Sequence, residues 1–273
     1  MTVIDGNTLD GVSATTLWTL HNRADEARRP DGAIEDPWAV ALYDKITYDY
    51  LKFGKANQSH GLRAAAFDGV AADYLLEHPQ CSIIALAEGL QTSFWRLDAS
   101  ALIDEVTWYS VDLPPVMALR EQLLPDDDRI VALAQSALDL SWMDRIDPTG
   151  GVFITAEGLL MYLDPADVHT LIAACAQRFP GGQLMFDSIP PWLSRRTLKG
   201  FQLSERYQAP PMPFGITADG AVALAETIPG VRLARDIPLR SGRGMFRPLG
   251  WRSLDRIGPI RRARPSMTVW EFG

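Results

Sequence analysis

Cysteine is nearly absent: Cys81 and Cys175 are the two thiols in 273 residues. Two thiols exclude a disulfide-stapled scaffold, and neither has a His or Cys neighbour at metal-ligand spacing. Both sit in or beside apolar runs and read as reduced, buried fillers. Long hydrophobic stretches are missing as well, with no window near the ~18 apolar residues of a membrane span. The first twenty residues show no basic stretch followed by an apolar one, so no secretory signal is visible and a cytoplasmic location is expected. Basic charge is scarce, 26 Lys and Arg against 34 Asp and Glu for a net −8. That balance excludes a general nucleic-acid binder, which needs a cationic surface for phosphates. The four histidines, His21, His60, His78 and His169, form no metal or triad pattern. His78 and His169 read as surface residues, whereas His60 stands just before Arg63 and within reach of any site there.

What is present is ordinary for a globular enzyme: 47% hydrophobic and 22% charged residues. The length suits one large domain, or one domain with an inserted cap. Helices are predicted over 15–28, over 37–46 with Pro37 in the first turn, and over 62–76. From Ser82 strands and helices alternate. Strands are expected at 82–87, 106–111, 130–134, 151–156 and 183–187, with helices at 93–102, 115–124 and 166–178. Such alternation implies a mostly parallel sheet with right-handed crossovers. Asp164-Pro165 reads as a helix start, the carboxylate as cap and proline at the first helical position.

After Asp187 the texture changes. Residues 189–217 carry prolines 190, 191, 210, 211 and 213 around a patch over 192–207 that reads as helical. An insert lying over the carboxyl ends of the strands, and closing on ligands, is the expected role. A helix over 217–227 and strands over 231–239 and 267–272 complete the fold. The expected organisation is a helical extension (1–80), a cofactor-binding core (81–188), a cap (189–217) and a closing helix with strands (218–273).

The chemistry concentrates at the strand ends. In SIIALAEGLQTSFWRL, residues 82–97, a buried strand breaks at Ala87-Glu88-Gly89 and resumes as an amphipathic segment. Doubly wound folds bind nucleotides at such a turn. One glycine stands where a dinucleotide fingerprint has three, so a plain turn is the competing reading. Asp112 closes the next strand 23 residues after Gly89, near the spacing of a ribose-binding carboxylate. Ser136-Ala137-Leu138-Asp139 follows the third strand and Glu157-Gly158 the fourth.

These blocks together are similar to the leucine carboxyl methyltransferase-like family, which includes polyketide O-methyltransferases and actinobacterial S-adenosylmethionine-dependent enzymes. The matching pieces are RADEARRPDG, DPWA, LRAAAFD, ALAEGLQTSFWRL, VDLPPVMALREQLLP, SALDLSW and, most specific, ITAEGLLMYLDPADV. The resemblance runs over residues 15–190. It implies a class I methyltransferase: an α/β Rossmann-like sheet with an N-terminal helical extension, binding S-adenosylmethionine and methylating a small molecule, with no metal. By that resemblance Ala87 and Gly89 approach the cofactor's amino-acid portion, Asp112 and Leu113 its ribose. Ala137, Leu138 and Asp139 hold the adenine. Glu157 and Gly158 lie near the sulfonium and amino group, and Arg63 pairs with the carboxylate, Arg23 and Arg28 being secondary candidates.

Glu88 and Gln91 depart from the family pattern, which has a small residue and an aspartate there. Buried charge is costly, so Glu88 is expected to point outward or meet a cation. Tyr162, Trp192, Phe201, Tyr207 and Phe214 are the candidate substrate pocket. No obvious base is visible, which favours a carboxylate acceptor over a hydroxyl, since a carboxylate has no proton to lose. A silent cofactor-binding scaffold, a protein carboxyl methyltransferase and a nicotinamide oxidoreductase remain as alternatives, the last weakened by the thin glycine turn. The arginines at 240, 243, 247, 252, 256, 261, 262 and 264 are read as a solvated face or as partners of an acidic surface, with an anionic substrate channel as the sharper alternative.

Overall fold

A computed structural model describes residues 4–238, 240–247 and 257–273. The central sheet has seven strands: β1 (Ser82–Leu86), β2 (Thr107–Asp112), β3 (Ile130–Ala134), β4 (Val152–Ala156), β5 (Gln183–Ser188), β6 (Val231–Asp236) and β7 (Ser266–Phe272). Their order is β6-β7-β5-β4-β1-β2-β3. Neighbours from β5 to β3 run parallel, and β7 is antiparallel to both β5 and β6. Every residue of β1 is buried. A strand covered on both faces needs such an unbroken apolar run, which is why SIIAL shows no alternation.

Helices α1 (Thr15–Ala27), α2 (Pro37–Lys45) and α3 (Ser59–Glu77) precede the sheet. Then come α4 (Ser93–Asp98), α5 (Pro114–Leu123), α6 (Pro165–Arg178), α7 (Pro191–Thr197), α8 (Ala218–Ala225) and α9 (Gly258–Ala263). One core cluster joins α1, α2 and α3 to one sheet face around Phe94, Trp108 and Phe153. A second packs α6 and α8 against the other around Trp142, Phe179 and Trp270. Both thiols are buried and free.

Three local expectations are corrected. Asp164 occupies the N-cap position of α6, but its side chain makes no cap bond; Pro165 at the first position is the start signal that operates. The predicted helix at 93–102 stops at Asp98. The patch at 192–207 is helical only to Thr197, and Gln202–Ser204 then pairs with Tyr207–Gln208 as a short hairpin. Gly200 separates the two with φ +86, a left-handed turn that ends a helix cheaply only at glycine. Among the described residues no helix is long and apolar enough to cross a membrane, and no cluster suits a metal.

Candidate functional site

A cavity of about 670 Å³ opens at the carboxyl ends of β1, β2, β4 and β5. Residues 12–19 and the segment after β5 enclose it. The turn after β1 is wound tightly, with Ala87 at φ +49 and Gly89 at φ +59. A Cβ on Gly89 would stand 2.5 Å from Thr16 Oγ1, and that same hydroxyl accepts Leu90 N–H at 2.6 Å. Glycine is therefore needed twice, for the backbone sign and for the approach of α1.

Asp112 is fixed opposite. Its Oδ2 accepts Gly89 N–H at 2.6 Å and its Oδ1 accepts Leu113 N–H at 2.7 Å. Burial lifts its pKa, and the two amides pull it back down. The carboxylate thus faces the cavity with its orientation set and lone pairs to spare. Beside it Leu113 is 43% and Leu138 39% exposed. Both line the cavity with Ser136 and Ala137, giving apolar edges suited to a flat ring.

Glu88 does not point outward. It is 6% exposed and receives Ser110 Oγ–H, Trp108 Nε1–H at 3.2 Å and Arg120 Nη2 at 2.8 Å. Burial raises its pKa against the pull of Arg120. The same guanidinium donates to Gly89 O at 2.7 Å and Gln91 O at 3.0 Å. The glutamate is the counterion of an arginine that braces the turn, a role that needs a cation some thirty residues on and so cannot be read from local spacing.

Arg63, Glu157 and Asp187 form a second knot. Arg63 donates from Nε to Glu157 and from Nη1 to Asp187, each at 2.9 Å, and Asp187 also accepts Gly158 N–H at 2.6 Å. Burial works against the Arg63 charge, yet the two carboxylates outweigh it and hold the guanidinium protonated. Glu157 is itself pushed up by burial, with Arg63 opposing. Gln91 Nε2 donates to Glu157 at 2.5 Å, while Gln91 Oε1 is buried and has no donor among the described residues.

Of the fifteen residues singled out from sequence for the two pockets, the structure gathers eleven on one wall and leaves four off it. Arg63, Ala87, Gly89, Asp112, Leu113, Ala137, Leu138, Glu157, Gly158, Tyr162 and Phe201 line the cavity. Asp139 instead caps a 3₁₀ turn, accepting Ser141 N–H at 3.2 Å. Trp192 faces outward and donates to Ala263 O at 3.0 Å. Tyr207 packs edge-on to Phe53 at 4.7 Å behind the wall, and Phe214 is core. Arg23 is fully buried, bonded to Asp36 at 3.0 Å, Thr92 and Leu90 O; Arg28 pairs with Asp44 at the surface. Neither reaches the cavity.

Sequence reasoning missed Thr16, Asp187, Met161 and Met212, all on the wall; Asp187, closing β5, was the one with a signal, a carboxylate at a strand end. His60 does line the cavity, edge-on to Trp18 at 4.9 Å. Burial, then Arg63 and Arg23, hold its pKa well below the ordinary value. Of the arginine run, Arg243 pairs with Glu26 at 2.5 Å, Arg261 with Asp219 at 3.2 Å and Arg264 with Asp236 at 2.6 Å. These are pairings within the molecule, of which only Asp219 is a surface acid, Glu26 being buried and Asp236 nearly so; Arg264 also touches the cavity, and Arg252 and Arg256 lie outside the described residues.

The leucine carboxyl methyltransferase family model matches residues 16–176. The tetracenomycin polyketide synthesis O-methyltransferase TcmP of Streptomyces glaucescens is 31% identical over 227 residues, covering 82% of each chain. A Mycolicibacterium gilvum protein assigned as an S-adenosyl-L-methionine-dependent methyltransferase is 30% identical, over 66% of this chain and 69% of its own. Among solved structures, a Thermobifida fusca protein assigned to the methyltransferases superposes with TM-score 0.57 at 17% identity, over 92% of this chain and 94% of that one.

Proposed function

The chain belongs to the leucine carboxyl methyltransferase family of S-adenosylmethionine-dependent enzymes, and from that premise we propose that it esterifies the carboxylate of a small, partly aromatic molecule. One observation carries the reading: a single cavity runs from the Asp112–Gly89 cradle to an apolar wall of Met161, Leu193, Phe201 and Met212. The cradle fits the cofactor. Asp112 has lone pairs for ribose hydroxyls, and Leu113 and Leu138 offer apolar edges to adenine. Gln91 Oε1, buried and without a donor among the described residues, suits an ammonium. Arg63 faces the same space, and among the described residues its Nη2 donates to nothing, which leaves it for a carboxylate.

Bound S-adenosylmethionine supplies a methyl group on a positively charged sulfur. The protein supplies position and a dry enclosure, which are worth as much as ~7–11 kcal/mol of barrier for a displacement held in line. Carboxylate fits better than hydroxyl because the cavity's acids are engaged: Glu88 with Arg120, Glu157 and Asp187 with Arg63, Asp112 with two amides. Burial, then Arg63 and Arg23, hold His60 neutral with a pKa well below the ordinary imidazole value, which makes it a poor base for a phenol's proton. The relative named for polyketide synthesis supports a polyketide-like acceptor. Residues 189–217 act as the cap over it, in a cytoplasmic enzyme. The enclosed wall also suits a small molecule better than the open groove that a protein terminus requires.

Calorimetry with S-adenosylhomocysteine beside a nicotinamide dinucleotide tests the cofactor, and mass spectrometry of 2-naphthoate and anthraquinone-2-carboxylate incubations tests the acceptor. Binding of the first nucleoside alone and formation of methyl esters are expected. A protein that binds S-adenosylhomocysteine yet methylates neither acid, nor the matching phenols, refutes the aromatic-acceptor reading.

A further inference from the structure

We infer that His60 holds the acceptor's carboxylate through a neutral imidazole N–H, and so sets which oxygen meets the methyl group; this rests on the function proposed above. His60 sits in the first turn of α3 on the cavity wall, its ring fixed edge-on to Trp18 at 4.9 Å. Among the described residues neither ring nitrogen has a hydrogen-bond partner, and Nδ1 is shut away from solvent. A buried N–H without an acceptor is rarer and costlier than a buried lone pair. The hydrogen therefore belongs on Nε2, the nitrogen left to the cavity.

The charges around the ring favour an anion there. Arg63, one turn on in the same helix, and Arg23 from α1 both disfavour a proton on His60, after burial. Glu157 and Asp187, from the ends of β4 and β5, are held by Arg63, and Glu26 of α1, which approaches Gly61, is bound to Arg243. Burial would resist a charge of either sign, but the share of that resistance owed to Arg63 and Arg23 favours a carboxylate. Hydrogen bonded to Nε2–H, one carboxylate oxygen is fixed and the other is free to attack. The new O–CH₃ bond forms as the S–CH₃ bond breaks, its electron pair stays on sulfur, and no proton moves.

Two variants separate this donor from a base. Glutamine places an N–H near the Nε2 position but cannot accept a proton as a base, and leucine can neither donate nor accept. In protein loaded with S-adenosylhomocysteine, His60→Leu is expected to weaken 2-naphthoate binding roughly ten- to a hundredfold, and His60→Gln to stay within about threefold of the parent. Turnover should follow the same order, with kcat/KM flat between about pH 6 and 9. Equal losses in both variants, or a rate rising tenfold per pH unit, overturn the inference, as does methylation of 2-naphthol in preference to the acid. Nitrogen-15 spectra of the unaltered protein give a test that no variant's folding can spoil. A neutral Nε2–H ring whose signal moves when the acid binds is expected, and an imidazolium or an Nδ1–H tautomer refutes it. Those results leave the methyltransferase reading intact. Indifference of the parent protein to acids and phenols alike, with S-adenosylhomocysteine still bound, removes the acceptor reading and this inference with it.

Discussion

A carboxylate held by two backbone amides at a strand end, as Asp112 is, has its direction decided before any ligand arrives. With the ribose placed on it as proposed, removing it would delete charged hydrogen bonds, and Asp112→Ala is expected to weaken S-adenosylhomocysteine by about 1.5–3 kcal/mol in a folded protein. Calorimetry reads this directly, and an unchanged affinity takes Asp112 out of the site. Arg63 is a different case. The proposed pairing with a ligand carboxylate would account for only one face of it, because its Nε and Nη1 are already bound to Glu157 and Asp187. Its loss would leave two buried carboxylates without a cation, so the residue is as much scaffold as site.

At the scale of elements, the glycine turn is held between two helices. Thr16 of α1 presses on Gly89 from one side, and Arg120 of α5 holds the carbonyls of Gly89 and Gln91 from the other. Gly89→Ala adds a Cβ at a left-handed backbone position, about 1–2 kcal/mol, and overpacks against the threonine for about 1–3 kcal/mol more. Thr16→Ala opens the space, so the double variant should recover about 1 kcal/mol or more relative to the sum of the singles. Urea unfolding of the four proteins measures that coupling, and strict additivity would show that α1 does not press on the turn. Arg23, Arg96, Asp36 and Thr92 fasten α1, α2 and α4 together behind the same turn.

For the whole molecule, buried acids of two kinds set the response to pH. Burial would raise Asp36, but Arg96, Arg23, Thr92 and Ala39 together take it below the ordinary carboxylate value. Its contribution is complete above the unfolded pKa of ~3.9 and is lost as pH falls through the lower folded value. Glu88, Glu157 and Asp112 are shifted up, chiefly by burial. In the range between the unfolded and raised values the folded state binds more protons, so these acids add stability as pH falls. The urea midpoint should therefore rise as pH falls from neutrality toward the ordinary carboxylate range and drop below about pH 4, where Asp36 loses its charge. A midpoint that climbs steadily with pH from 5 to 8 contradicts the upward shifts.

The sequence by itself determined the alternation of strands and helices, the place of the nucleotide turn and the carboxylates that close the strands. Each is local: an unbroken apolar run such as SIIAL marks a buried strand, and Asp112, Glu157 and Gly158 follow where such runs end. It also showed the family resemblance, because block order survives where single motifs are thin. The tertiary structure decided the pairing. Glu88 turns inward because Arg120 waits below it, His60 joins the cavity because α3 passes its mouth, and Thr16 takes the N–H of Leu90 across 74 positions of sequence. Charge compensation and close contact act between side chains far apart in the chain, and no local spacing records them. The four misplaced candidates share that reason: aromatic residues at 192, 207 and 214 were equally fit for wall, core or surface, and Asp139 equally fit for a ligand or a cap, until packing chose.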